Sequence, residues 1–160
     1  MRKQRSLVLQ SWLEDGGSFI QRLKKHRLQP QVFVLKEGWV LPEPAEQAAL
    51  ELPSRRCVFV REVEIRDQKE PLMFARTVIP IATLTGQERI LAHLGSRSLG
   101  SVLFAYPKMD RSPFEIKTCR LPHYASSELW ERQSLFILKG KILLLREVFL
   151  PRLVSFIESL

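Results

Sequence analysis

The feature that most constrains this chain is a pair of β-forming segments flanking a short polar connection. Cys57 to Ile65 and Leu72 to Ile79 are mostly apolar and rich in β-branched and aromatic side chains. Between them, Arg66-Asp67-Gln68-Lys69-Glu70-Pro71 has the composition of a hairpin loop, so the two segments are predicted to pair antiparallel. The motif recurs near the end, where Gln133 to Leu138 and Ile142 to Leu150 are joined by Lys139-Gly140-Lys141, and Pro151 closes the last strand. Phe114 to Leu121 adds a further strand. Another runs from Val32 to Leu41, with a break near Glu37-Gly38, and ends before Pro42 and Pro44.

The front of the chain reads differently. Leu9, Trp12 and Leu13 fall at helical spacing until Glu14-Asp15-Gly16-Gly17 stops the pattern. Ser18 can cap a second helix through Phe19, Ile20 and Leu23 that ends before Pro30, giving a helical hairpin around the glycine pair. Further helical pieces are expected at Ala45 to Leu50, Gln87 to His93 and Leu99 to Phe104. Helices in front and middle, with about six strands in hairpin-like succession, predict an α+β fold with a mainly antiparallel sheet. At 45% apolar content, residues 1–160 suffice for one domain with its own core.

The net charge of +8 suits either a nucleic-acid binder or an enzyme that draws in a small dianion. Its basic runs, Arg2-Lys3, Lys24-Lys25-His26-Arg27 and Arg55-Arg56, accompany no helix-turn-helix, zinc-finger or RNA-binding signature and read as solvated surface, without nucleic acid as partner. Cys57 and Cys119 stand apart from any Cys-x-x-Cys spacing, which indicates neither a zinc site nor a disulfide framework and suits a reducing cytosol. No apolar run approaches the ~20 residues of a membrane span, and Met1-Arg2-Lys3-Gln4-Arg5 does not open a signal peptide. The expected setting is a monomer in the cytoplasm.

The functional signal is a set of charges in the wrong phase. Side chains alternate along a strand, so Arg61 shares a face with Cys57, Phe59, Val63 and Ile65. Arg76 likewise falls in phase with Leu72, Phe74 and Val78, and Glu147 with Leu143, Leu145 and Phe149. A lone buried charge costs several kcal/mol, so each needs a partner inside the protein or on a ligand. One reading pairs Glu147 with Arg61 or Arg76 as a buried salt bridge. The other notes two guanidinium groups for one carboxylate, an excess that an anionic small molecule would complete, because the Arg fork matches a carboxylate. The remaining candidates carry less. His26, His93 and His123 lack acidic or serine partners at catalytic spacing; Ser96, Ser98 and Ser101 lie outside any Gly-x-Ser-x-Gly; and Gly95 to Gly100 is not a phosphate loop.

In these same strands the sequence resembles the chorismate pyruvate-lyase family. The matching segments are Val60-Arg61-Glu62-Val63, Ala75-Arg76-Thr77-Val78-Ile79-Pro80 continuing to Gly86, Leu94-Gly95 with Ser98-Leu99-Gly100, Phe114-Glu115-Ile116, and Leu143 to Pro151. The resemblance covers most of the chain from about Val32, with a weaker match at Trp12-Leu13 and Ser18 to Leu23. It implies helices packed on one side of the sheet and a helical-hairpin flap over an enclosed site. It also implies Arg61 as binder of the ligand carboxylate, Glu147 as the group meeting the ring hydroxyl, and Leu99 as a backbone contact to the ligand carboxylate. Phe19 takes a pocket-lining flap position where the family usually has Met, and Arg76 either holds a second substrate carboxylate or pairs within the protein.

The implied reaction converts chorismate to 4-hydroxybenzoate and pyruvate, towards ubiquinone. It is driven by aromatisation and calls for no metal or redox cofactor, only a dry, oriented and electrostatically matched substrate. The rival from another class is the ligand-sensing domain of bacterial transcription regulators, which shares this fold and binds small effectors without turnover.

Overall fold

The computed structural model describes residues 4–160, so the Arg2-Lys3 run lies outside the described residues. In chain order the elements are α1 (Leu7–Leu13), α2 (Phe19–Lys25), β1 (Pro30–Val40), α3 (Pro44–Ala49), β2 (Val58–Asp67) and β3 (Glu70–Pro80). Two 3-10 segments follow, Ile81–Thr83 and Gly86–Ala92, then α4 (Leu99–Leu103), β4 (Met109–Arg111), β5 (Glu115–Cys119), β6 (Leu129–Leu138), β7 (Lys141–Phe149) and α5 (Pro151–Glu158). The seven strands form one antiparallel sheet in the order β1-β2-β3-β7-β6-β4, with β5 also pairing β6.

Local chemistry sets these boundaries. The hydroxyls of Ser6, Ser18 and Ser98 accept from the backbone N–H three residues on and start α1, α2 and α4. Gln68 and Lys69 both take positive φ, as do Lys139 and Gly140, the two-residue hairpin geometry whose twist matches that of the strands it joins. Both expected hairpins are therefore present, β2–β3 and β6–β7.

Pleating gives the sheet two buried faces. On one, Ile65, Met73, Trp130 and Phe149 pack against Leu9, Trp12, Leu13 and Leu23 of the front helices and against Leu153 and Ile157 of α5. The same face continues as Phe59, Ile79, Phe136 and Leu143 under Leu91, Leu94, Leu99 and Leu103. On the other, Val58, Val60, Val78 and Leu144 pack against Leu50, beside Ala49 of α3.

Several expectations need correction. Among the described residues the strands number seven where about six were expected, because Met109–Arg111 adds a short edge pairing with Phe136–Leu138. Helices do not lie on one side alone, since α3 covers the second face. Pro151 does not merely end β7; it occupies the first turn of α5, where its missing N–H costs nothing. The helix expected from Gln87 to His93 is present as a 3-10 segment over Gly86–Ala92. The irregularity in β1 lies between Val34 and Lys36, and pairing runs unbroken through Glu37 and Gly38. Among the described residues no helix is long and apolar enough to cross a membrane.

Candidate active site

Between the first face and its covering helices lies a pocket whose charged lining comes from four strands: Arg61 of β2, Arg111 of β4, Arg132 of β6 and Glu147 of β7. Apolar walls surround them, including Val63, Ile65, Ala75 and Leu145 of the sheet, Phe19 and Ile20 of the front hairpin, and Leu99 and Leu103 of α4. Arg61 and Arg132 are each 2% exposed and Glu147 6%, so these charges are held away from water and act through a low effective dielectric.

The sheet register explains the arrangement. Arg61 opposes Thr77, Thr77 opposes Leu145, and Glu147 opposes both Ala75 and Arg132, so Arg61 and Glu147 share a face with β3 between their strands. Two interstrand spacings, roughly 10 Å, separate their backbones, which leaves room for a small ring once both side chains reach inward. Arg61 donates to the carbonyls of Gly95 at 2.8 Å and Arg97 at 2.7 Å and to Glu37 at 3.2 Å. These bonds draw the segment entering α4 onto Arg61, placing Leu99 in the pocket wall at the start of the helix, where backbone N–H groups have no intrahelical acceptor. Burial pulls the Arg61 guanidinium below its ordinary value, with Glu37 at the rim restoring only part.

Glu147 is gripped by two cations that periodicity had not assigned to it. Arg132 donates to its two oxygens at 3.0 and 3.2 Å, and Arg111 adds a bond at 3.3 Å. Arg132 also donates to the carbonyls of Trp12, Leu13 and Asp15, tying the end of α1 and the following turn to the site. Phe19 packs 6.0 Å from Phe149 and 6.2 Å from Trp12, so the hairpin closes over the pocket with an aromatic contact on the sheet.

Four of the five residues singled out in the sequence, Phe19, Arg61, Leu99 and Glu147, meet at this pocket. Arg76 does not. It opposes Glu62 in the β2–β3 ladder and projects from the second face, where it donates to both oxygens of Glu46 at 2.8 and 2.9 Å and to Glu62 at 3.2 Å. Arg146 joins it there, bonding Glu46, Glu43 and Glu131. The Glu46 hydrogen bond raises the Arg76 pKa; for Arg146, burial would lower it but the surrounding carboxylates raise it. Two cations among four carboxylates have no need of an anionic ligand, so Arg76 is a structural partner of α3 and the expectation that it shares the site is corrected. The pairing of Glu147 with Arg61 or Arg76 is likewise replaced by Arg132 and Arg111.

His26, His93 and His123 are exposed and line no part of this pocket. Among the described residues no group of three His, Cys, Asp or Glu side chains is placed to hold a metal ion.

Comparison with known proteins agrees with this architecture. The family model described as "Chorismate lyase" matches residues 2–157. A "Probable chorismate pyruvate-lyase" of Methylococcus capsulatus is 38% identical, covering 94% of this chain and 99% of its own length. A "Chorismate pyruvate-lyase" of Erwinia tasmaniensis is 36% identical over 89% of this chain and 78% of its own. Among solved structures, PhnF from Mycobacterium smegmatis superposes with a TM-score of 0.62 at 11% identity, covering 86% of this chain and 65% of that one. Its effector domain alone gives 0.57 at 10% identity, with 85% of this chain and 90% of the domain covered. At such identities the structural likeness establishes a shared α+β fold.

Proposed function

The chain belongs to the chorismate lyase family, and from that premise we propose that the pocket between the sheet and the front hairpin splits chorismate into 4-hydroxybenzoate and pyruvate. The observation that carries this reading is the desolvated pair of opposite charges on one sheet face, Arg61 and Glu147, separated by an apolar floor. Chorismate carries a carboxylate at one end of its ring and a hydroxyl at the other. Arg61 receives the carboxylate, assisted by the backbone of Leu99, and Glu147 accepts a hydrogen bond from the hydroxyl.

In the reaction the hydrogen on the hydroxyl-bearing carbon is lost, the bond to the neighbouring enolpyruvyl oxygen breaks, and the ring becomes aromatic. Enolpyruvate gains a proton and becomes pyruvate. The chain contributes orientation, exclusion of water and fixed charges, which need no reorganisation as the bonds change. Because Arg132 and Arg111 hold the Glu147 carboxylate in a fixed plane, its part is first to orient the hydroxyl. Near-normal turnover by a folded Glu147→Gln would rule out a role in proton transfer.

The pocket's charged and apolar walls are all supplied within one protomer, which supports a monomer as the acting form. The free thiols Cys57 and Cys119 suit a reducing compartment, and the cytoplasm is the proposed location. The basic run Lys24–Arg27 and the Arg55-Arg56 pair are exposed and separate from the pocket, which supports a small anion rather than nucleic acid as partner. Residues 1–160 act as one domain, since helices at both ends of the chain pack on the same sheet face.

Incubation of the purified protein with chorismate, without added metal, should yield 4-hydroxybenzoate and pyruvate in equal amounts. Tight binding of chorismate without either product would instead favour the non-catalytic, effector-binding reading of this fold.

A further inference from the structure

The charges lining the pocket do not balance. Arg61, Arg111 and Arg132 face a single lining carboxylate, Glu147. Arg132 is closely held, with Nε and Nη2 on Glu147 at 3.0 and 3.2 Å and Nη1 on three backbone carbonyls. Arg111 is not. Its contact to Glu147 is 3.3 Å long and its contact to the Gly16 carbonyl 3.4 Å, both at the outer limit of a hydrogen bond; only the Ser134 hydroxyl, at 3.0 Å, holds it closely. Its guanidinium lies 4.3 Å from the centre of the Phe114 ring and 4.5 Å from that of Phe136, so two rings pack against the cation, and a carboxylate would meet it at its in-plane N–H edge. Burial pushes its pKa down to about 10 with Glu147 offsetting only part, the reverse of the well-paired Arg76.

Substrate geometry gives that edge an occupant. The enolpyruvyl ether of chorismate stands on the ring carbon next to the hydroxyl-bearing one. With the ring carboxylate on Arg61 and the hydroxyl on Glu147, as the functional reading above requires, the second carboxylate falls near Glu147, the group that Arg111 contacts. We propose that Arg111 binds the enolpyruvyl carboxylate through its in-plane N–H groups and is the residue that distinguishes chorismate from 4-hydroxybenzoate, which lacks that carboxylate. When the ether bond breaks, the charge that Arg111 holds leaves with enolpyruvate, while the product keeps its contacts to Arg61 and Glu147.

The test measures KM and kcat for chorismate, and the dissociation constant of 4-hydroxybenzoate by titration calorimetry, on full-length wild type, Arg111→Met and Arg111→Lys. Arg111→Met is expected to raise KM for chorismate roughly 30-fold, the range for losing a charged hydrogen bond, and to weaken 4-hydroxybenzoate less than about 3-fold. Arg111→Lys, which keeps the charge without the fork, should fall between wild type and Arg111→Met for chorismate, and carries the same contrast should the Met variant not fold. Equal losses for both ligands would show that Arg111 acts only through Glu147 or the fold, and an unchanged KM for chorismate would show no contact; either overturns the proposal. Wild type that binds chorismate without forming products would sink the lyase reading, and calorimetry with both ligands would then decide the role of Arg111.

Discussion

Arg132→Met isolates the contact on which the site's architecture depends. Met has similar reach but no donors, so the change strands the Glu147 carboxylate with only the 3.3 Å contact from Arg111. It also removes the donor serving three carbonyls of the α1 end and its turn. Removing one partner of a buried pair costs about 3 to 5 kcal/mol, a large part of the ~5 to 15 kcal/mol that holds a domain folded. At about 2 to 4 °C per kcal/mol for a chain of this size, the melting temperature should fall by about 6 to 20 °C in a thermal unfolding scan. The double variant Arg132→Met/Glu147→Gln should be less destabilised than the sum of the single variants, because the stranded charge has gone. A Tm within about 2 °C of wild type for Arg132→Met, or additivity within about 0.5 kcal/mol in the double-mutant cycle, would refute the reasoning.

Other outcomes follow from the same contacts. Arg76→Met should cost about 2 to 3 kcal/mol in denaturant unfolding, less than a fully broken buried pair because Arg146 still holds Glu46, and should leave KM for chorismate unchanged. Ser18→Ala removes the cap of α2 at a cost of about 1 kcal/mol, so release of 4-hydroxybenzoate in stopped-flow should quicken up to about 5-fold as the hairpin loosens. Alkylation at pH 8 should modify exposed Cys57 and spare Cys119, whose thiol burial pushes up to about 11; mass spectrometry reads the sites, and activity should persist because neither thiol lines the pocket.

The strand pattern made much of this legible. Arg61 and Glu147 stand out because each interrupts an apolar face in a long strand, and that phase survives in the fold. The same logic detected that Arg76 is buried but could not say where, because period 2 shows which residues share a face and not which face carries the ligand. Here both faces are covered, the second by α3, and its polar interior satisfies Arg76 internally. Arg132 was within reach: β6 begins at Leu129, and reading it from Gln133 hid an alternation of Trp130, Arg132, Ser134 and Phe136 with one charge in the apolar phase. Arg111 was beyond it, because a three-residue edge strand has too few positions to show a period and its direction is fixed only by pairing with β6. Phe19 and Leu99 bring no charge into an apolar face, so their place in the pocket was implied by resemblance alone.

The site is built across β2 and β7, and a structure of the protein with 4-hydroxybenzoate tests it most directly. The product should lie between Arg61 and Glu147 under the front hairpin, its carboxylate on the Arg61 guanidinium and its hydroxyl within hydrogen-bond distance of Glu147. Product bound on the Arg76 and Arg146 face, or in this pocket with its carboxylate turned away from Arg61, would contradict it.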